Sequence, residues 1–327
     1  MTVTGAEAAE VREELRDVAR SLLAGDPAPS AKRLASAGWT GLEVPEELGG
    51  AGVTFAETAV ICEELGRAAA VSSFLGAAVL GAGTLLELSP SAARDDLLAA
   101  VAAGDATPVA VLPGEAGFVP SAASATHLLV VEPGGVTVAV PGDAGVSVEA
   151  LPVIDETSRL ARVSVSGASG GPVLPFAGDP SAVIGRLRDR AAVAVACDSL
   201  GAAEAMLETT VAYVKTREQF GRAVGSFQAV QHACADMLVA LRVSRELVSA
   251  AVTAVAGGAP DAWVRAAMAK SHACAAAVDV AGQAMQLHGG IGYTWESGVH
   301  VYLKRALLNR SLFGSPAGHR QRLATRY

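Results

Sequence analysis

The spacing of apolar residues changes twice along the chain. Between Glu10 and Leu23, Val11, Leu15, Val18, Leu22 and Leu23 recur at helical spacing, which predicts an amphipathic helix with those five residues on its apolar face. Gly and Pro interrupt the pattern in WTGLEVPEELGGAGV, Trp39 to Val53, which reads as a loop. Thr54 then stands where an N-cap belongs, and Glu57, three residues on, completes a capping box. The helix FAETAVICEELGR comes next, ended by Gly-Arg, and two more Ala/Leu-rich helices are expected near 72–88 and 91–103.

From about residue 105 the pattern turns to short Val-rich runs. THLLVVEPGGVTVAVPG holds two of them around Pro-Gly-Gly, a hairpin signal, and LARVSVSGASGGPVLPF promises further strands with loops. Helical spacing returns near 180. Ser181 to Lys215 is almost entirely Ala, Val and Leu, and a helix apolar most of the way round is buried among others. Three more long helices complete the chain: Ser226–Ala256, Asp261–Leu287 and Val299–Leu312, each ended by Gly or Pro. The predicted fold class is α+β, with an N-terminal helical domain (1–104), a small β domain (105–178) and a C-terminal four-helix bundle (179–327).

Composition narrows the function. Of 327 residues, 51% are hydrophobic and 18% charged, enough apolar material for a large core. A formal net charge of -8 argues against a general nucleic-acid binder. The four cysteines are far apart and form no CxxC or Cys/His cluster, so neither a metal site nor a disulfide framework is expected. Buried thiols in a reducing cytoplasm are the plain reading. The N-terminus lacks the basic start and apolar core of a signal peptide, and no apolar run is long enough for a membrane span.

Two stretches carry chemistry. TREQFGRAVGSFQAVQHACADM, Thr216 to Met237, sits between two bundle helices. It reads either as a helix-turn-helix corner, with Gly221 permitting the turn and Ser226 capping the next helix, or as an anion site. In the second reading the planar Arg217 guanidinium meets a phosphate pair, Phe220 packs on a ring and Gln228 offers an amide. QLHGGIGYTWE, Gln286 to Glu296, has glycines at 289, 290 and 292 that permit either a turn or close approach of the backbone to a ligand. It comes after a helix and lacks GxGxxG, so it is not a dinucleotide fingerprint.

Together, TREQFG…FQAVQH…ADM and QLHGGIGYTWE…YLKRA resemble the acyl-CoA dehydrogenase family, clearly over 181–305. GWTGLEVPEELGGAGV is similar to that family's early loop. The resemblance implies an acyl-CoA dehydrogenase-like fold, FAD as cofactor and α,β-dehydrogenation of an acyl-CoA thioester. A carboxylate would take the α proton and the flavin the β hydride, with an electron-transferring flavoprotein as acceptor. It also implies a homo-oligomer, or a heterotetramer with a second acyl-CoA dehydrogenase subunit. Matched position by position, Arg217 meets the FAD pyrophosphate, and Gln219, Phe220 and Gln228 are further contacts. Gln286, Leu287, His288, Gly289 and Gly290 lie along the adenosine half. The resemblance places all of them against the FAD of a neighbouring subunit.

The departures concern the base. The family's usual glutamate position, nine residues past Arg305, is Gly314, and no carboxylate occurs from Ala306 to Tyr327. The alternative position, on the first bundle helix, is Ala191. Asp189 lies two residues away, about 200° round a helix, so it suits a surface or substrate-edge role better than that of base; Glu296 is the other candidate. The β region is short, with Glu115 reading as a remnant of one flavin-facing loop and no Trp between Trp39 and Trp263. Shortened subunits of actinobacterial α2β2 dehydrogenases that act on steroid side-chain thioesters share a Gly-Pro-containing tail in place of the base. The resemblance therefore leaves two expectations: a dehydrogenase with an unusual base, or a non-catalytic subunit that completes a partner's FAD site.

Overall fold

The computed structural model describes residues 5–166 and 173–326; the part of the predicted loop at 167–172 lies outside them. The chain begins with five α-helices: α1 (Gly5–Gly25), α2 (Ala31–Ser36), α3 (Phe55–Arg67), α4 (Gly83–Leu86) and α5 (Ala92–Ala103). The Thr54–Glu57 capping box forms at the start of α3 as read from sequence. A π-helix, Leu75–Ala82, runs directly into α4, so the segment near 72–88 is helical but mostly not α-helical.

On α1 the expected apolar face is only partly right. Leu15 and Leu22 pack on the core and Leu23 is buried, but Val11 and Val18 are exposed. The reason is electrostatic. Arg12, Arg16 and Arg20, spaced four apart, turn toward α3 and pair with Glu57 (3.1 Å) and Glu64 (3.2 and 2.9 Å).

Seven strands come next: β1 (Pro108–Val111), β2 (Val119–Pro120), β3 (His127–Glu132), β4 (Gly135–Ala139), β5 (Val146–Leu151), β6 (Leu160–Val165) and β7 (Val173–Leu174). They form one sheet in the order β1-β3-β4-β7 and another in the order β2-β6-β5. The predicted hairpin is β3–β4, with Leu128 opposite Ala139 and Glu132 opposite Gly135.

The bundle is built from α6 (Pro180–Thr216), a short hairpin of β8 (Glu218–Gln219) and β9 (Arg222–Ala223), α7 (Gln228–Ala256), α8 (Ala262–His288) and α9 (Val299–Ser311). The structure adds a further helix, α10 (Pro316–Ala324), which Ser315 caps and Pro316 opens. Helix α6 is the axis of the molecule, packing on α3, α7, α8 and α9. Ser199, on α6, is fully buried and returns its hydroxyl to Val195 O, as a polar side chain in an apolar interior must. Among the described residues no helix is long and apolar enough to cross a membrane, no metal-ligand cluster occurs, and all four cysteines are free thiols.

One side chain joins all three segments. Arg305, on α9, is buried and forks onto Asp198 of α6 (2.8 and 2.6 Å). Its other arm donates to Ala70 O, beyond α3 (3.0 Å), and to Thr157 Oγ1 in the β5–β6 loop (2.7 Å). Asn309 donates to the same aspartate at 2.6 Å. Breaking such a pair leaves a buried charge without a partner, which costs about 3–5 kcal/mol. Arg305→Ala is therefore expected to lower the free energy of urea unfolding by about that amount; a change under about 1 kcal/mol contradicts the assigned role.

Candidate functional site

Helix α6 ends at Arg217, whose N–H still reaches Tyr213 O (2.9 Å) while its backbone turns extended. The next six residues form a β-hairpin and not the simple corner read from sequence. Glu218 and Gln219 pair with Ala223 and Arg222, and the two turn residues, Phe220 and Gly221, have φ of 53° and 77°. That conformation is the primed turn that matches strand twist, and phenylalanine is an uncommon choice for it. The hairpin holds Phe220 at 89% exposure. Behind it, Phe227 takes the Phe220 ring edge-on (6.2 Å) and the Arg222 guanidinium on its face (4.0 Å). Ser226 does not cap α7; its hydroxyl donates to Ala223 O, and Phe227 stands at the cap with no side-chain bond.

The second stretch meets the first through one stacked pair. The His288 ring lies 4.4 Å from that of Tyr213, nearly parallel, and Tyr213 Oη donates to His288 O (3.4 Å). Tyr213 is one turn before Arg217, so this contact ties the end of α8 to the end of α6. His288 is buried, with Nδ1 against Ala284 O (2.8 Å). It lies beneath the glycine turn, in the segment that the resemblance places along the adenosine half of the cofactor. Gln286, Gly289 and Gly290 are exposed and Leu287 half-buried.

The three glycines here differ. A Cβ on Gly289 or Gly290 would meet nothing within 4 Å, while one on Gly292 would press on Met285 O at 2.6 Å. Packing requires Gly292; nothing within the chain fills the space at the other two. Arg217, Gln219 and Gln228 are likewise exposed, and among the described residues Arg217 has no carboxylate partner. An unpaired guanidinium, three exposed amides and an open glycine backbone suit a phosphate-bearing, flat-ringed ligand, so these residues fit the FAD that the resemblance implies.

At the expected base position the backbone takes a conformation that disfavours a side chain. Phe313 and Gly314 both have positive φ (53° and 98°), and a Cβ on Gly314 would lie 2.9 Å from His319 Nε2. His319 is held there by Phe313 O (2.9 Å), and burial lowers its pKa, an effect the bond to Phe313 opposes. Lys270, fully buried, fixes the end of α9 just before this turn by donating to Asn309 O (2.8 Å). Asp189 is not at the surface, contrary to expectation. It is buried and bonded to Arg322 of α10 (2.5 Å); burial raises its pKa and the guanidinium opposes that rise. Ala191 is fully buried, and Glu296 is exposed on the turn Trp295–Ser297. Sequence reasoning misses Tyr213, Arg222 and His319. A signal for Tyr213 exists in its place four residues ahead of Arg217, and one for His319 in the GSPAGHR run.

The models for the acyl-CoA dehydrogenase N-terminal and C-terminal domains match residues 6–105 and 183–327. Acyl-CoA dehydrogenase IpdE2 of Mycobacterium tuberculosis is 34% identical over 94% of this chain and 94% of its own. The protein of the same name from Mycolicibacterium smegmatis is 32% identical over 96% and 98%. A solved structure described as "Tcur3481-Tcur3483 steroid ACAD G363A variant" superposes with a TM-score of 0.85 at 27% identity, covering 97% of each chain. The ChsE4-ChsE5 complex from Mycobacterium tuberculosis contains a chain of the same fold, with a TM-score of 0.83 at 24% identity over 99% of this chain and 98% of that one.

The glycine geometry predicts a contrast. Gly292→Ala forces backbone against Met285 and should lower stability by about 1–3 kcal/mol, whereas Gly290→Ala, in open space, should leave the thermal midpoint within about 1 °C of wild type. Equal midpoints for the two variants in a thermal melt contradict the assignment.

Proposed function

The chain belongs to the acyl-CoA dehydrogenase family, and from that premise we propose that it serves FAD-dependent α,β-dehydrogenation of an acyl-CoA thioester as the subunit that completes a partner's cofactor site. The observation that carries this reading is the Phe313–Gly314 turn. Its backbone is left-handed, the space a side chain would take is filled by His319, and α10 holds no carboxylate. Abstracting the α proton needs a carboxylate beside the α carbon. Asp189 cannot serve, because it is buried and committed to Arg322.

The other half of the machinery is intact and faces outward. In this reading Arg217 neutralises the pyrophosphate of FAD, Gln219, Gln228 and Gln286 bond its polar edges, and Phe220 lies against it. Gly289 and Gly290 let the backbone approach, and His288 and Tyr213 keep the two stretches in register from below. FAD, when bound, supplies the redox chemistry by accepting the substrate hydride. The partner supplies the base, and the electrons pass on to an electron-transferring flavoprotein. The heteromeric description of the ChsE4-ChsE5 relative supports a two-chain assembly, and the steroid description of the other structural relative supports a bulky acyl group.

The test is Arg217→Ala in the assembly co-purified with the partner subunit. Loss of one charge-assisted phosphate bond, about 1.5–3 kcal/mol, should weaken FAD retention by about tenfold to a hundredfold, read as absorbance near 450 nm after gel filtration. Unchanged flavin content contradicts the grip.

A further inference from the structure

A cavity of about 300 Å³ opens where α6, α10 and the loop after β1 meet, beside Gly314. That volume stands at the lower end of the roughly 300–1,000 Å³ of ligand pockets. Two guanidiniums line it, Arg188 of α6 and Arg322 of α10. Each is anchored by one arm. Arg188 Nη2 donates to Pro113 O (2.9 Å), and Arg322 Nη1 to Asp189 Oδ1 (2.5 Å). Among the described residues neither guanidinium has a further acceptor. A guanidinium carries five N–H donors in a fixed fork, so each keeps most of its donors free.

Arg322 is also held in direction. The buried Asp189 takes one edge of its guanidinium and the Trp263 ring lies against its face at 5.2 Å, which leaves the remaining edge for the cavity that it lines. The walls beside the forks are bare. A Cβ on Gly185 would meet nothing within 4 Å, and one on Gly318 would meet only Ser315 Oγ at 3.6 Å. Neither glycine has a positive φ, so neither packing nor backbone requires it. Gly185 moreover stands inside α6, where glycine is among the poorest helix formers. Its missing side chain keeps the cavity open. Glu115, on the rim, has no cation partner among the described residues. Its charge opposes a second anionic group on a ligand, and its oxygens can accept a hydroxyl.

We propose that Arg188 and Arg322 form a binding site for a small molecule with a phosphate head, with Asp189 as the residue that positions Arg322. Paired guanidinium forks match the oxygens of a phosphate, and glycine walls let it approach backbone. The site uses none of the residues assigned to the cofactor, so it and the flavin grip fail separately.

The experiment is calorimetric titration of the purified full-length chain, at low ionic strength, with inorganic phosphate and with glycerol 3-phosphate. Wild type should bind. Tighter binding of the ester identifies an organic phosphate as the ligand and tighter binding of inorganic phosphate the free ion; either result supports the site. Arg188→Gln should weaken binding by at least about tenfold. Arg322→Lys, which keeps a charge opposite Asp189 but loses the fork, should do the same. Gly185→Leu, which fills the cavity and alters no charge, should abolish binding. Arg320→Gln removes an exposed charge from α10 outside the cavity and should stay within about twofold of wild type. Near-UV circular dichroism establishes that each variant is folded. A wild-type chain that binds neither phosphate overturns the proposal, and so does a folded Gly185→Leu or Arg188→Gln variant that binds as well as wild type.

Discussion

A guanidinium removed from water has to find a partner for its charge, and in this protein that requirement fixes the arrangement of the whole chain. Arg305 meets it by drawing on Asp198, Ala70 O and Thr157, one from each of three segments. None of these contacts can form unless the helical, β and bundle parts dock in one geometry. The ion pair itself need not add net stability over an apolar substitute. What it adds is uniqueness: a shifted β segment would strand a buried charge. Asp155, fully buried, extends the same logic by folding the loop that carries Thr157 around its own carboxylate (2.9 and 2.7 Å).

Seen from that junction, the polar residues of a mostly apolar chain divide into two sets. Inside, Arg190, Asp189, Lys270 and Asn309 each have a bond to a named partner, as burial demands. Outside, Arg217, Gln219, Gln228 and Gln286 stand exposed around a rigid aromatic hairpin and an open glycine backbone. The first set is committed to partners inside the chain. The second is left at the surface, on the face to which we assign the cofactor. The same division accounts for the tail, where His319 and Lys270 stabilise a turn on which no acid is carried.

Much of this is legible in the sequence because the signals are local. The Thr54–Glu57 cap, the β3–β4 hairpin and the all-round apolar character of α6 depend on residues a few positions apart, and the structure has them. The features that are not legible depend on distant partners. Asp189 reads as a surface group because Arg322, 133 positions away, gives no sign in the sequence that it will meet it. Val11 and Val18 read as core because nothing on α1 announces that its arginines will face the glutamates of α3. The β8–β9 hairpin escapes for a local reason: Phe at its first turn position breaks the Asn-Gly or Gly-Gly rule on which such turns are recognised. The candidate cofactor residues are named by resemblance; their exposure, and the burial of His288, come only from the structure.

We propose that this chain grips a cofactor whose chemistry another chain completes. The most direct measurement is flavin content per subunit, by absorbance and amino-acid analysis, in the tetramer co-purified with its partner dehydrogenase subunit. The account predicts one FAD for each pair of unlike chains, and no turnover by this chain alone. One FAD for every chain, in a homotetramer that oxidises acyl-CoA, would contradict it.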